Sequence, residues 1–137
     1  MTPKEYLSQA ILLDHKIESN LEALSDLKAR VYSASPKPSD YVRVQTSPSD
    51  PSALVDKMID LELAINREID QLVELKGRLM LEINGLDNNV FSLLLMKRYI
   101  LNKSLYEIAK EMSYSYGAIR NMHGRALDEF GRVYLKR

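Results

Sequence analysis

The chain has 137 residues, no cysteine and a formal net charge of zero, with 45% hydrophobic and 28% charged residues. That length suits one domain, or one small domain with a helical appendage, and the composition is that of a soluble globular protein without an apolar run long enough to cross a bilayer. The lack of cysteine excludes a disulfide framework, thiolate chemistry and Cys-ligated zinc, and fits a reducing compartment.

The neutral total hides a segregation. Residues 1–90 carry 10 Lys and Arg against 15 Asp and Glu, and residues 91–137 carry 9 against 4. The last third is therefore a basic module on an acidic carrier, which is either a surface that attracts phosphates or a solvated charged face. The start, Thr2-Pro3-Lys4, lacks the basic-then-apolar pattern of a secretion signal, so a cytoplasmic location is expected.

Thr2 followed by Pro3 is a helix start, because the hydroxyl caps free amides and proline at the first helical position sacrifices no hydrogen bond. Leu7, Ile11, Leu13, Ile17, Leu21, Leu24, Leu27 and Val31 then recur at helical spacing to about Tyr32. Residues 33–51, with Pro36, Pro38, Pro48 and Pro51 among serines, read as a mobile loop whose Tyr41-Val42-Arg43-Val44 stretch is a weak candidate for an extended segment. Asp50-Pro51 opens a second long helix, in which Met58, Leu61, Ile65, Ile69, Leu72, Leu75, Leu79, Ile83 and Leu86 step by threes and fours. Such a seam requires a helical partner. An antiparallel, coiled-coil-like hairpin over residues 1–86 is expected, together with a homodimer through the long helices. Gly85-Leu86-Asp87-Asn88 ends the helix, with Asp87 or Asn88 able to cap the next one, and places a domain boundary before residue 87.

Three further helices are expected over residues 87–137. The first runs from Val90 to about Leu101, with Val90, Leu94, Leu95 and Tyr99 inward. Ser104-Leu105-Tyr106-Glu107 is a capping box that starts the second, which buries Leu105, Ile108, Ala109 and Met112. After a Ser113-Tyr114 turn, Ser115 caps the third, from Tyr116 to about Tyr134, with Ile119, Met122, Ala126, Leu127 and Phe130 inward. A short helix, a tight turn and a longer basic helix is the helix-turn-helix plan. The expected fold is all-α.

The run Arg98-Tyr99, Ser104-Leu105-Tyr106-Glu107-Ile108-Ala109, Ser115, Ile119-Arg120 and Arg125-Ala126-Leu127 resembles region 4, the promoter-reading domain of sigma-70 type factors, over roughly the last 50 residues. With its helical N-terminal part, the whole chain is similar to small phage or prophage late-gene transcriptional regulators of the ArpU and RinA type. The resemblance implies double-stranded DNA as partner, with the third helix in the major groove and Tyr116, Gly117, Arg120 and Asn121 reading base edges. Lys103, Ser104 and Arg125 would hold phosphates, and RNA polymerase would be a further partner. Ser113 departs from the family pattern, where such turns carry glycine. Gly117 and Gly124 inside the reading helix, with Gly131 following, leave one bare face open to DNA or to a partner helix.

His123 lies on a mixed helix face and His15 has no partner at ligand spacing, so neither is assigned a function. Most tyrosines of the module are expected at core edges, with Tyr114 and Tyr116 placed for DNA. No nucleophile arrangement, phosphate loop or metal motif occurs, so neither catalysis nor a cofactor is expected. Two rivals remain beside a transcription regulator: a small terminase-like DNA-recognition subunit, and a helical adaptor without DNA binding.

Overall fold

A computed structural model describes residues 1–32 and 51–135. The expected loop, including Tyr41-Val42-Arg43-Val44, lies outside the described residues apart from Pro51, which opens a helix. The fold is all-α, with no strand among the described residues. The helices are α1 (Pro3–Tyr32), α2 (Pro51–Asn84), α3 (Asn89–Leu95), α4 (Leu105–Met112) and α5 (Tyr116–Phe130). α3 runs on into a π-helical turn, Met96–Ile100, and α5 into a second, Gly131–Leu135. Among the described residues no helix is long and apolar enough to cross a membrane.

Side-chain caps fix most of the helix starts. Thr2 Oγ1 accepts from the Glu5 amide at 3.1 Å, and Asn88 Oδ1 accepts from Val90 and Phe91 at 2.9 and 3.1 Å. Ser104 and Ser115 do the same for α4 and α5 through Glu107 and Ala118. Each cap satisfies amides that have no partner inside the helix.

The chain groups into two compact units, one of residues 1–14 with 71–137 and the other of residues 15–70. This division differs from the boundary expected before residue 87. The contacts that draw the chain's first residues to its last helices, given below for the larger unit, have no local signature.

In the 15–70 unit, the Lys16 ammonium meets Glu68 at 3.2 Å and that of Lys28 meets Glu62 at 2.8 Å, so the two helical segments run antiparallel. Ile17, Leu24, Met58 and Ile65 are buried. Leu21 and Leu27, expected on this seam, are 44% and 43% exposed. The seam position between Ile17 and Leu24 belongs instead to Asn20, whose amide donates to Glu68 at 2.8 Å. One polar residue at a seam sacrifices apolar burial and specifies register.

In the larger unit, Leu7, Ala10, Leu79, Ile83, Leu94, Leu95, Ile108, Ile119 and Phe130 form the core with Tyr99. The Tyr6 ring lies against Phe130 at 5.8 Å between centroids, and its hydroxyl donates to Glu82 at 2.7 Å. Burial, followed by the Glu82 carboxylate, raises the Tyr6 pKa. Val90, expected inward, is exposed. With Asn88 as cap it falls in the first turn, and the inward position goes to Ser92, whose hydroxyl donates to the Ile83 carbonyl at 2.9 Å.

Two backbone details set the geometry of the last helices. Ser113 ends α4 at φ 60°, ψ 41°, with its amide and that of Tyr114 returning to the Lys110 and Ala109 carbonyls. This is a Schellman motif closed by a residue with a Cβ in the left-handed region. Gly131 lies so close to Pro3 that a Cβ there would stand 2.6 Å from the proline Cγ. The third glycine of the spacing is therefore a packing glycine. Gly117 and Gly124 face open space.

Opposite stability changes are expected at these positions in urea denaturation of the full chain. Ser113→Gly should gain about 0.5–1 kcal/mol, since relief of left-handed strain exceeds glycine's added chain entropy. Gly131→Ala should lose about 1–3 kcal/mol through overpacking against a rigid ring.

Candidate nucleic-acid interface

A serine caps the start of each of α4 and α5. The Ser104 hydroxyl accepts from the Glu107 amide at 3.2 Å and donates to the Glu107 carboxylate at 3.2 Å. The glutamate therefore meets the serine side chain rather than the serine amide that a reciprocal capping box would use. Ile108 and Ala109 of α4 and Ile119, Ala126 and Phe130 of α5 are buried, which fixes which faces turn outward.

The outward residues at the start of α5 include Tyr116, Gly117, Arg120 and Asn121, all exposed. Tyr116 is stacked on Tyr106 with centroids 4.6 Å apart, and the Arg120 guanidinium sits 5.8 Å from the Tyr116 ring centre. Tyr106, expected at a core edge, is 66% exposed and supplies the underside of this stack. Stacking limits the rotamers available to Tyr116 and Arg120 before any ligand arrives.

No acid complements the dipole at the start of α5. Its first turn has no acid, Arg120 and Arg125 precede Asp128 and Glu129, and the π turn that continues it carries Arg132. Helix stability alone would favour an acid in that first turn. Arg120 is the one charged residue of the N-terminal half, where Tyr116, Gly117 and Asn121 also lie.

The expected phosphate ligands are placed less simply. The Lys103 ammonium is 2.6 Å from Glu111, which also holds Lys97 at 2.5 Å. These two ammonium groups hold the Glu111 carboxyl below the usual carboxylate range. Ser104 is committed to its cap, though it stays exposed. Arg125 is exposed in a hollow it shares with Asp128 and with the paired Glu129 and Arg132.

His123 is not the surface residue that its position on a mixed face suggests. It is half-buried, and its Nε2 lies 2.8 Å from the hydroxyl of Tyr99, which is 1% exposed. Burial raises the Tyr99 pKa to about 12, so the phenol keeps its proton. That proton has no other acceptor among the described residues, so the hydroxyl donates and Nε2 accepts. The imidazole pKa is lowered, first by burial and then by the positive charges of Arg98 and Lys4. His123 is therefore neutral near pH 7. Nothing in the local sequence pairs residue 99 with residue 123; the π turn brings Tyr99 inward.

Among the described residues no group of three His, Asp or Glu side chains converges to hold a metal ion. No protein-family model, curated protein or solved structure matches the chain.

The His123 shift has a signed consequence. A histidine with depressed folded pKa contributes stability that is complete above its ordinary value, 6.5, and is lost as pH falls from there through the folded value. Melting temperature should thus drop as pH falls below 6.5. His123→Gln should flatten the curve there, as thermal melts of both proteins at half-unit steps will report.

Proposed function

We propose that the chain is a sequence-specific DNA-binding transcription regulator of phage type, acting in the cytoplasm of a bacterial host. The observation that carries this reading is the N-terminal half of α5. It exposes Arg120 and Asn121 beside an ordered tyrosine stack, on a helix with no acid in its first turn and with bare glycines that weaken it. Arg120 has the fork of donors that suits guanine, and Asn121 the donor and acceptor pair that suits adenine. Gly117 and Gly124, open to solvent, let a duplex backbone approach where any side chain would hold it off. The likeness of the last 50 residues to sigma-70 region 4 supports a helix in the major groove and contact with RNA polymerase. Pairing of two copies through the long helices is supported by Ile59 and Leu63, which lie one turn apart on α2 and are about half-exposed.

Binding to duplex fragments from the gene's own neighbourhood, followed across a salt series, tests the reading. Saturable preference for one fragment is expected. Arg120→Ala should cost about 1–3 kcal/mol on that fragment and relax preference at one base pair, while leaving the salt slope nearly unchanged. Gly124→Ala separates function from folding: it should raise stability by about 1 kcal/mol and still weaken DNA binding. Absence of binding even at low salt would remove DNA from the account. Ring-like stoichiometry on DNA would favour a packaging subunit over a regulator.

A further inference from the structure

A cleft of about 310 Å³ opens between α1, the first π turn and the starts of α4 and α5. Lys4, Arg98, Ser104, Tyr106, Tyr116 and His123 line it, together with one leucine, and no carboxylate does. Some cations of this unit have carboxylates: Lys97 and Lys103 share Glu111, and Arg132 meets Glu129 at 2.5 Å. Lys4 and Arg98 have no ion pair among the described residues. Arg98 spends one donor on the Lys103 carbonyl at 3.3 Å and lies 5.6 Å from the Tyr99 ring centre, leaving the rest of its fork free.

Unmatched positive groups gathered from separate elements repel one another, and the fold retains them at a cost to its own stability. An anion in the cleft reverses the sign of that interaction. Charge-assisted bonds to arginine and lysine are among the strongest polar contacts a phosphate makes. The cleft also adjoins the candidate reading surface, because Tyr116 belongs to its wall and carries Arg120 against its ring.

We infer that this cleft holds one backbone phosphodiester of the bound nucleic acid, gripped by Lys4 and Arg98 with Ser104 at its edge. The inference rests on the DNA reading above and adds to it. Lys4, from the far end of the sequence, becomes part of the DNA surface, and the principal phosphate contact moves from Lys103 and Arg125 to Lys4 and Arg98. A phosphate here fixes the distance of α5 from the duplex without reading sequence. Its negative charge also cancels the field that Arg98 and Lys4 exert on His123.

The test compares the full-length wild type with Lys4→Glu and Arg98→Gln on specific and unrelated duplexes over a salt series. An acid in the first turn of α1 suits the helix dipole, so Lys4→Glu should keep its fold, as circular dichroism will check. Arg98→Gln keeps a donor for the Lys103 carbonyl and serves as the second variant. Each should weaken binding about tenfold on every sequence alike and reduce the salt slope by about one. Wild-type binding with unchanged affinity and slope in both variants overturns the inference and leaves the DNA reading standing. Failure of the wild type to bind any duplex overturns both. A parallel arm titrates inorganic phosphate against the His123 ring signals by NMR. A saturable shift in wild type that is lost in Lys4→Glu, with no duplex binding, would assign the cleft to a free phosphate instead.

Discussion

A tyrosine hydroxyl that is cut off from water must find a partner, and among the described residues the Tyr99 hydroxyl finds His123 alone. That bond ties the π turn after α3 to the middle of α5. It restricts the rotation of α5 about its axis, since a helix turns by about 100° per residue and a slip of one position would strand both groups. With Ile119, Ala126 and Phe130 buried in the same phase, Tyr116, Gly117, Arg120 and Asn121 have to face outward. The neutral state of His123 follows from the same arrangement, because the interior and the two nearby cations disfavour a third charge.

The outer side of this helix looks poorly chosen for stability and coherent for binding. Gly124 weakens the helix interior, the first turn of α5 has no acid, and Lys4 and Arg98 face a cleft without a carboxylate. Each choice weakens the isolated protein and suits a polyanion lying along α5. A solvated structural face would be expected to show the opposite pattern, with acids toward the N-terminus of α5 and glutamates beside the free cations, as Glu111 already stands beside Lys97 and Lys103.

Much of the architecture was legible because it is local. The four helix starts that carry side-chain caps, at Thr2, Asn88, Ser104 and Ser115, follow from a polar side chain preceding an apolar period, and the α2 seam follows from its spacing. The α1 seam was misread at Leu21 because apolar periodicity does not see Asn20, whose seam position is filled by a hydrogen bond to Glu68. Val90 was misread for the same reason, with Ser92 as the polar occupant. Ala10 and Ile100 gave too weak a periodic signal, the first being small and the second lying in a π turn that shifts the helical phase. The outward residues of α5 were legible from its apolar face. The roles of His123, Tyr106 and Lys4 were not, since each depends on a residue distant in sequence, and charge counted along the chain does not show which cations already have carboxylates.

The central claim is that the start of α5 and the adjoining cleft form one DNA-binding surface. Amide chemical-shift mapping of the full chain, titrated with a duplex that it binds, tests it most directly. The account predicts that perturbations concentrate at residues 116–121, at Arg98 and Ser104 and at Lys4, with the 15–70 unit little changed. Perturbations confined to the 15–70 unit, or scattered over the basic residues without reaching residues 116–121, would contradict it.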